Sequence, residues 1–232
     1  MSHIKSIAKP KAFIHIKRKW RWSTSPSPGP HKKGRCIPLQ MIIRDALNIA
    51  NTGKEAQTII KNGFVKIDGN VVKDYAYPVG LFDVISFEAI HKHYRIVPSK
   101  DVLSVVEIDR KEADRKLCRI EGKTPVRGGK IQLNLHDGKN ILIPKNEYST
   151  FDTLLISLPS QKIVEHVKKE KSLSVLISGS NTGSTGIWEK ELITRGSSKN
   201  LVVLKLEGRE IEIPKTDVFP VGKDKPLITV NA

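Results

Sequence analysis

The apolar residues of this chain recur first at helical spacing and later in short alternating runs. One helix is predicted by a face of five apolar residues, Ile42, Ile43, Ala46, Leu47 and Ala50. A second short helix is predicted by Ala56, Ile59 and Ile60, and it ends at Asn62-Gly63. We expect the two helices to share one apolar seam.

Beyond the second helix the spacing becomes that of β-strands. Residues 64–67 lead into Asp68-Gly69, and two valines follow at 71–72. Asp-Gly between two apolar runs is the strongest short-range signal for a β-hairpin. A further strand is predicted over residues 84–87, so the two helices are followed by a small sheet.

The middle of the chain predicts more β structure. Alternation over residues 131–135, the turn sequence at 136–139 and the apolar residues 141–143 indicate a second hairpin. We expect a short helical turn over residues 112–118 and two strand segments within 148–158. Ser160 is a candidate N-cap for a further short helix, whose apolar residues are Ile163, Val164 and Val167.

Short strands and glycine-rich turns make up the rest of the chain. Strands are predicted over residues 172–177, 201–206 and 211–213, with a shorter one at Ile187-Trp188. The connection 178–186 is rich in glycine and serine. This arrangement predicts a small β-barrel.

At 232 residues the chain is longer than a usual single domain, so we expect several small modules. We predict an α+β protein with a basic extended N-terminal arm (residues 1–40), a helix-hairpin module (41–95), a central β-rich module (96–170) and a C-terminal module (171–232). No apolar run approaches the roughly 20 residues that cross a bilayer, and the N-terminus lacks an apolar signal region. We therefore expect a soluble, cytosolic protein.

Charge is distributed unevenly along the chain. Lys and Arg number 40 and Asp and Glu number 24, which gives a net charge of +16. Eleven of the basic residues lie between Met1 and Arg44, a stretch with no acidic residue, so the remaining 29 face 24 acids. Most of the excess is therefore in the arm, which is where a nucleic-acid-binding tail places it.

The arm combines these cations with aromatic rings and with a run of Ser, Pro and Gly over residues 25–30, which forms neither a helix nor a central strand. We expect the arm to be disordered until it binds nucleic acid. In the complex its cations would contact phosphates and its rings would stack on bases. The alternative, a solvated tail that binds nothing, fits poorly with Trp20 and Trp22. The predicted RNA contacts are Lys5, Lys9, Lys11, His15, Lys17, Arg18, Lys19, Trp20, Arg21, Trp22, His31, Lys32, Lys33 and Arg35.

The cysteines and histidines do not predict a metal site. Cys36 and Cys118 are too few and too far apart for a disulfide framework or a paired zinc site, and we expect both to be reduced and structural. His91 and His93 share one strand face, but nothing in the sequence brings Cys36 to them. A surface or RNA-facing role fits the two histidines better.

Catalytic and nucleotide-binding motifs are also poorly matched. His136-Asp137 with Asp152 resembles an acid-base set, but Asp-Gly at an exposed turn is explained by backbone geometry. Residues 179–186 lack the spacing of a dinucleotide loop, and 122–124 and 128–130 lack the flanking residues of a P-loop. We expect no cofactor, no metal, no catalytic residues and no small-molecule substrate.

The helix-hairpin module resembles the S4 RNA-binding domain in Lys54-Glu55-Ala56, in Ile59-Ile60, in residues 63–69 and in Asp83-Val84-Ile85. Many members carry arginine where this chain has Gly53, and we expect Lys54 to supply that charge. The alternative is a generic helix-hairpin core with scattered surface lysines. The resemblance implies contacts to the backbone of a structured RNA from Arg44, Lys54, Thr58, Lys61 and Lys66.

The C-terminal strands and their glycine-rich connection resemble a KOW motif in an SH3-like barrel. The resemblance implies that loop glycines let an RNA backbone come close and that Asn181 bonds phosphate or sugar. The family usually has a basic residue where Ser180 and Ser184 stand. A purely structural use of this turn is the alternative.

Taken in order, these motifs resemble the S4e family of archaeal and eukaryotic small-subunit ribosomal proteins over nearly the whole chain. The most specific is the run Pro26-Ser27-Pro28-Gly29-Pro30-His31-Lys32 ahead of the S4-like and KOW-like modules. Tyr77-Pro78, Tyr94-Arg95, Lys116-Leu117-Cys118 and His136-Asp137-Gly138 follow the same pattern. The compact length is typical of archaeal members.

The resemblance implies a structural protein of the cytoplasmic small ribosomal subunit. Its partners would be small-subunit rRNA and neighbouring ribosomal proteins, with no membrane contact. One alternative is an RNA-modifying enzyme, because S4 domains accompany pseudouridine synthases, but residues beyond 100 leave no room for a catalytic domain. The other is a KOW-type transcription or translation factor that binds transiently.

Overall fold

A computed structural model describes residues 3–10, 21–100, 103–194, 196, 199–206 and 208–230. Antiparallel sheets form most of it, and short helices accompany them, so the prediction of a protein that mixes helices and strands is confirmed. None of the helices in these ranges is long and apolar enough to span a membrane.

The arm begins with a two-stranded hairpin. Strand β1 (His3–Lys5) pairs antiparallel with β2 (Trp22–Thr24). Residues 11–20, which carry Lys11, His15, Lys17, Arg18, Lys19 and Trp20, lie in the connection and outside the described residues.

The arm beyond β2 is packed on the protein body. The Ser23 hydroxyl donates to Met41 Sδ at 3.0 Å, and the Thr24 hydroxyl donates to Gln40 Oε1 at 2.8 Å. The Ser27 N–H donates to the Ala76 carbonyl at 2.8 Å. Our expectation of a disordered arm is therefore wrong for residues 21–40, because its hydroxyl and amide groups are bonded to the helix-hairpin module.

The helix-hairpin module opens with β3 (Cys36–Pro38) and α1 (Leu39–Met41), which continues as a π-helical turn (Ile42–Ala46). The helix predicted over 42–50 ends at Ala46, and Asn48 beyond it has a left-handed φ of 52°. The second helix, α2 (Gly53–Lys61), is confirmed.

Six strands follow α2: β4 (Val65–Ile67), β5 (Asn70–Val71), β6 (Pro78–Gly80), β7 (Val84–Phe87), β8 (Lys92–Val97) and β9 (Ser104–Ile108). β6 pairs with β3, and the others form an antiparallel sheet in the order β5-β4-β7-β8-β9. The predicted hairpin at Asp68-Gly69 and the strand over 84–87 are confirmed. Asp68 and Gly69 have φ of 50° and 81°, as a type I′ turn requires.

The central module contains α3 (Arg110–Ala113), β10 (Arg115–Pro125), β11 (Ile131–Leu135), β12 (Asn140–Ile143), β13 (Thr153–Ser157) and β14 (Ile163–Val167). Its sheet has the order β12-β11-β10-β13-β14, and the predicted hairpin of β11 and β12 is confirmed.

Three local predictions fail in the central module. The helical turn expected over 112–118 ends at Ala113, because β10 begins at Arg115. The region 148–158 holds one strand instead of two. The helix expected after Ser160 is β14, since pairing with β13 outweighs the helical spacing of three apolar residues.

The C-terminal module is one antiparallel sheet in the order β18-β17-β16-β15-β19. Its strands are β15 (Leu173–Leu176), β16 (Thr185–Leu192), β17 (Leu201–Leu206), β18 (Arg209–Pro214) and β19 (Val218–Gly222). A small core lies beneath it, built on Leu176, Trp188, Val202, Leu204 and Val218.

Buried contacts join the modules. The largest apolar cluster includes Ile85 from the helix-hairpin module, Leu155 from the central module and Phe219 from the C-terminal module, and Ile4 of the arm packs against it. Arg119 on β10 reaches across to the C-terminal sheet, where its Nη1 donates to the carbonyls of Thr216 at 3.1 Å and Val218 at 2.6 Å.

We predict that Arg119→Met lowers the free energy of unfolding by about 3 kcal/mol, because a buried carbonyl loses a charged donor. Urea denaturation followed by fluorescence of the buried Trp188 measures the change. Arg127→Met, at an exposed turn of the same sheet, is the control and should change stability by less than about 0.5 kcal/mol. Equal effects of the two substitutions would contradict the bridging role.

Candidate nucleic-acid interface

One face of α2 presents predicted RNA-contact residues to solvent. Thr52 and Glu55 form a capping box that starts the helix, and its opposite face buries Ala56 and Ile60 in the core. Lys54, Thr58 and Lys61 are exposed and lie four and three residues apart, so they are neighbours on the helix surface. Glu55 is exposed beside them, with its carboxylate bonded to the N–H groups at the start of the helix.

The two lysines are the charged groups of this α2 face. In the part of the chain that the structure describes, neither Lys54 nor Lys61 takes part in an ion pair. The Thr58 hydroxyl donates to the Lys54 carbonyl at 3.0 Å, so it already has an acceptor within the helix. The face therefore offers two ammonium groups to an anionic partner.

At the start of α2, the position of Gln40 favours glycine at residue 53. The Gln40 amide donates to the Gly53 carbonyl at 3.0 Å, and a Cβ on residue 53 would lie 2.7 Å from Gln40 Nε2. A larger side chain would displace this bond.

Two other predicted cations of the module already face carboxylates. Arg44 donates to Asp45 through Nε at 2.8 Å and Nη2 at 2.7 Å, and its side chain is largely buried. Lys66 on β4 forms an ion pair with Glu88. Both residues lie in the helix-hairpin module, but a neighbouring carboxylate neutralises part of the charge of each.

The arm hairpin adds a cationic and aromatic surface beside the helices. Lys5 and Arg21 are exposed, and Lys9 is partly buried. The Arg21 guanidinium lies 6.0 Å from the Trp22 ring centroid, and the Trp22 side chain is 47% exposed. Since β2 is hydrogen-bonded to Gln40, this hairpin lies next to α1. The Trp22 ring also meets the His3 ring edge-on, with the centroids 4.9 Å apart.

A second stretch of the arm lies against the C-terminal module. Lys32, Lys33 and Arg35 are exposed on a short turn, and Arg35 Nη2 donates to Asp217 Oδ1 at 3.2 Å. No ion pair of Lys32 or Lys33 is formed within the described residues.

His31 points inward instead of toward RNA. Its side chain is 6% exposed, and its Nε2 lies 2.9 Å from Asp83 Oδ2. The ring packs against Gly80, where a Cβ would overlap it. This position does not support an RNA contact and identifies His31 as an anchor for the arm.

Asn181 lies in a third place, on the C-terminal sheet. It is exposed and lines a depression of about 330 Å³ together with Arg209 on β18. Arg209, just after the turn at Gly208, is a cation that the sequence analysis did not single out. Gly183, with a φ of 87°, packs so tightly that a Cβ would lie 3.2 Å from the Pro98 carbonyl. Gly183 therefore serves a structural purpose in this turn.

A buried charge network centred on Lys116 was not predicted from the sequence. Lys116 Nζ donates to Asp68 at 2.7 Å, to Asp83 at 2.6 Å and to Asp137 at 3.0 Å. Lys139 Nζ donates to Asp68 at 2.8 Å from the rim. Our placement of Asp137 at an exposed turn is wrong, because its side chain is 1% exposed. The available signal in the sequence was that Lys116 directly precedes the apolar pair Leu117-Cys118.

The network fixes the charge states of its members. Burial alone would raise the pKa of Asp83, but the charges of His31 and Lys116 and the bond from the Gly80 N–H bring it below its ordinary value. Burial likewise opposes ionisation of Asp137, yet Lys116 lowers its pKa to about 2. Burial would lower the pKa of Lys116, but the three aspartates raise it well above the usual range. Lys116, Asp83 and Asp137 are therefore ionised at neutral pH.

Cys118, His136 and Asp137 place their ligand atoms within 4.8 Å of one another, but the arrangement does not favour a metal. His136 Nδ1 accepts the Arg119 N–H at 3.3 Å, so Nε2 carries the proton that the Leu81 carbonyl accepts at 3.2 Å. Asp137 is held by Lys116, and burial raises the pKa of the Cys118 thiol. The donor atoms are therefore committed to the fold.

Comparison with known proteins gives a consistent assignment. The model of the "Ribosomal family S4e" matches residues 90–163, and the model of the "S4 domain" matches residues 37–85. A small ribosomal subunit protein eS4 from Staphylothermus marinus is 43% identical over 97% of this chain and 94% of the relative. Its counterpart from Archaeoglobus fulgidus is 42% identical over 99% of this chain and 98% of the relative.

A solved structure shows the same fold. The crystal structure of the 30S ribosomal protein S4e from Thermoplasma acidophilum is similar with a TM-score of 0.71 and 29% identity. The similarity covers 82% of this chain and 96% of that chain.

We predict that Lys116→Met destabilises the protein by about 3–5 kcal/mol, because three buried carboxylates lose their shared counterion. Urea denaturation at pH 7 measures the loss. Lys168→Met is the matched control, since Lys168 is exposed and forms no ion pair within the described residues. A loss below about 1 kcal/mol for Lys116→Met would show that the network contributes little.

Acidification should destabilise the protein in two steps. Burial lowers the pKa of His136 from 6.5 to about 4, so the unfolded chain binds this proton first as the pH falls. Stability is then full above about pH 6.5 and falls by about 3 kcal/mol on the way to pH 4. Asp137, with its pKa lowered to about 2, adds a further loss between about pH 4 and pH 2.

Urea midpoints measured from pH 8 to pH 3 test this profile. His136→Gln should remove the first decline, whereas His93→Gln, on the half-buried surface of β8, should keep it. Identical profiles for the wild type and His136→Gln would contradict the assignment.

Proposed function

The chain belongs to the ribosomal protein family S4e, and from this we propose that it is a structural constituent of the small ribosomal subunit that binds and stabilises folded small-subunit rRNA. It is not an enzyme, and it acts in the cytoplasm as part of the subunit. Neighbouring ribosomal proteins are its other partners.

The single observation that carries the proposed RNA contact is the segregation of charge in the helix-hairpin module. Lys54 and Lys61 stand exposed and without ion pairs on α2, within the described structure. Asp68 and Asp83, from the same module, are turned inward onto Lys116. An approaching phosphate backbone therefore meets ammonium groups and is kept away from these carboxylates.

We propose that the contacts form one electrostatic footprint. Arg44 and Lys66 belong to it but attract phosphate less strongly, because the carboxylates of Asp45 and Glu88 partly neutralise them. Trp22 and Trp20 supply stacking rings, and His31 is left out. The phosphate contacts are assigned to Lys5, Lys9, Lys11, Lys17, Arg18, Lys19, Arg21, Lys32, Lys33, Arg35, Lys54 and Lys61, with His15 and Thr58 beside them.

The C-terminal sheet is proposed to be the KOW-containing, SH3-like module. Its five antiparallel strands and the glycine-containing turn between β15 and β16 support this assignment. Asn181 and Arg209 line one depression there and are its proposed RNA contacts. Arg209 supplies a positive charge that Ser180 and Ser184 do not.

The affinity of the full chain for small-subunit rRNA should depend steeply on salt. If the footprint neutralises six to ten phosphates, affinity falls about 10³- to 10⁵-fold between 50 and 200 mM salt. Filter binding across this range measures the slope, and Lys54→Gln with Lys61→Gln should reduce it by about one to two.

The control pair is Lys145→Gln with Lys168→Gln, both exposed on the central module. This pair removes the same charge outside the proposed footprint and should leave the slope closer to that of the wild type. A flat salt response of the wild-type protein would overturn the proposed function, and equal slopes for the two pairs would overturn the placement of the footprint on α2.

A further inference from the structure

A cleft of about 560 Å³ lies where all four parts of the chain meet. The arm contributes His31 and Lys32, the helix-hairpin module Leu81, the central module His136, and the C-terminal module Phe219. Its volume falls within the roughly 300–1,000 Å³ of pockets that hold small organic groups. The footprint described above includes Lys32 and Arg35 at its rim but none of the residues of its interior.

The rim of this cleft is cationic. Lys32 from the arm and Lys199 from the C-terminal module are both exposed, and neither forms an ion pair within the described ranges. Arg35 and Arg119 also line it, each with one carboxylate partner, Asp217 and Glu121. Arg119 is buried, so the exposed positive charge at the opening comes from two separate segments, the arm and the C-terminal module. This charge suits a phosphate-bearing ligand.

The interior is mostly apolar. Leu81, Leu135 and Ile177 line it, and the buried Phe219 lies at its base. The His136 ring packs edge-to-face on Phe219, with the centroids 5.2 Å apart. Both ring nitrogens of His136 are occupied by backbone groups, so the ring presents carbon surface to the cleft instead of a charge.

One polar group inside the cleft lacks a partner. The Thr216 hydroxyl oxygen is buried and makes no hydrogen bond to any described residue. A buried unsatisfied hydroxyl costs about 1–3 kcal/mol, and a ligand with a donor or acceptor edge would remove that cost. The cleft therefore combines an apolar interior, one free hydrogen-bonding group and a cationic rim.

We propose that this cleft takes one unpaired nucleotide of the small-subunit rRNA, with its base inside and its flanking phosphates at the rim. A nucleobase has the apolar faces and polar edge that the interior requires, and its phosphates carry the charge that Lys32 and Lys199 attract. The inference rests on the proposed function and adds a defined binding site to it.

Photocrosslinking tests the position of the base directly. The full chain is bound to small-subunit rRNA transcribed with 4-thiouridine and irradiated, and the crosslinked peptides are mapped by mass spectrometry. We expect adducts on the cleft segments that contain Leu135, His136 or Phe219 in addition to those on the footprint. A second irradiation of intact small subunits shows whether the same segments face RNA in the assembly.

A substitution that fills the cleft provides a second test. Ile177→Trp places a large ring in the cleft and should weaken rRNA binding about tenfold, because one base loses its stacking surface. Ile187→Trp, on the exposed face of β16 in the same sheet, is the matched control and should bind as the wild type does. Thermal unfolding of both variants shows whether they are folded.

Failure of the inference and failure of the proposed function are distinguishable. If the wild type binds rRNA with a steep salt response but no cleft segment is crosslinked, the inference is wrong and the function stands. Unchanged binding by a folded Ile177→Trp would also overturn the inference. If Ile177→Trp does not fold, the crosslinking result alone decides.

Discussion

The buried ammonium group of Lys116 is the constraint on which the rest of the structure depends. A charge removed from water costs several kcal/mol unless partners surround it, and Lys116 has three aspartates within 3.0 Å. Asp68 comes from the β4–β5 turn, Asp83 from the start of β7 and Asp137 from the β11–β12 turn. Two hairpin turns from different modules must therefore meet at β10, and His31 fastens the arm to the same point through Asp83.

This arrangement explains how a strongly basic protein keeps a compact fold while presenting cations to RNA. Asp68, Asp83 and Asp137 are turned inward onto Lys116, whereas Lys54 and Lys61 remain on the surface. The arm from residue 21 onward is already packed on the body, so binding orders fewer residues than a disordered arm would require. The cleft lies at the junction of segments that the network holds together and of the C-terminal module, which Arg119 bonds to β10.

The sequence predicts those parts of the fold that depend on local pattern. The hairpin at Asp68-Gly69 and the helix ended by Gly63 follow from turn chemistry and periodicity, and both are present. Residues 163–167 have helical spacing but form a strand, because pairing with β13 is a long-range effect. The exposed lysines of α2 could be placed from their spacing within one helix.

Long-range pairing explains what the sequence could not predict about the site. His31 stands beside Lys32 in a basic run and was predicted to face RNA, yet its partner is Asp83. Asp137 looked like an ordinary turn residue, and only the fold brings Lys116 to it. The cleft around Phe219 joins four distant segments, so no local motif indicates it.

Native-state hydrogen exchange on the free protein tests the central claim most directly, because it reports the stability of each module separately. If the Lys116 network holds the arm, the helix-hairpin module and the central module together, the Ser27 amide, the β7 amides and the β10 amides should exchange with the same free energy of opening. Exchange of the Ser27 amide at the rate of an unfolded chain, with β10 fully protected, would contradict the account.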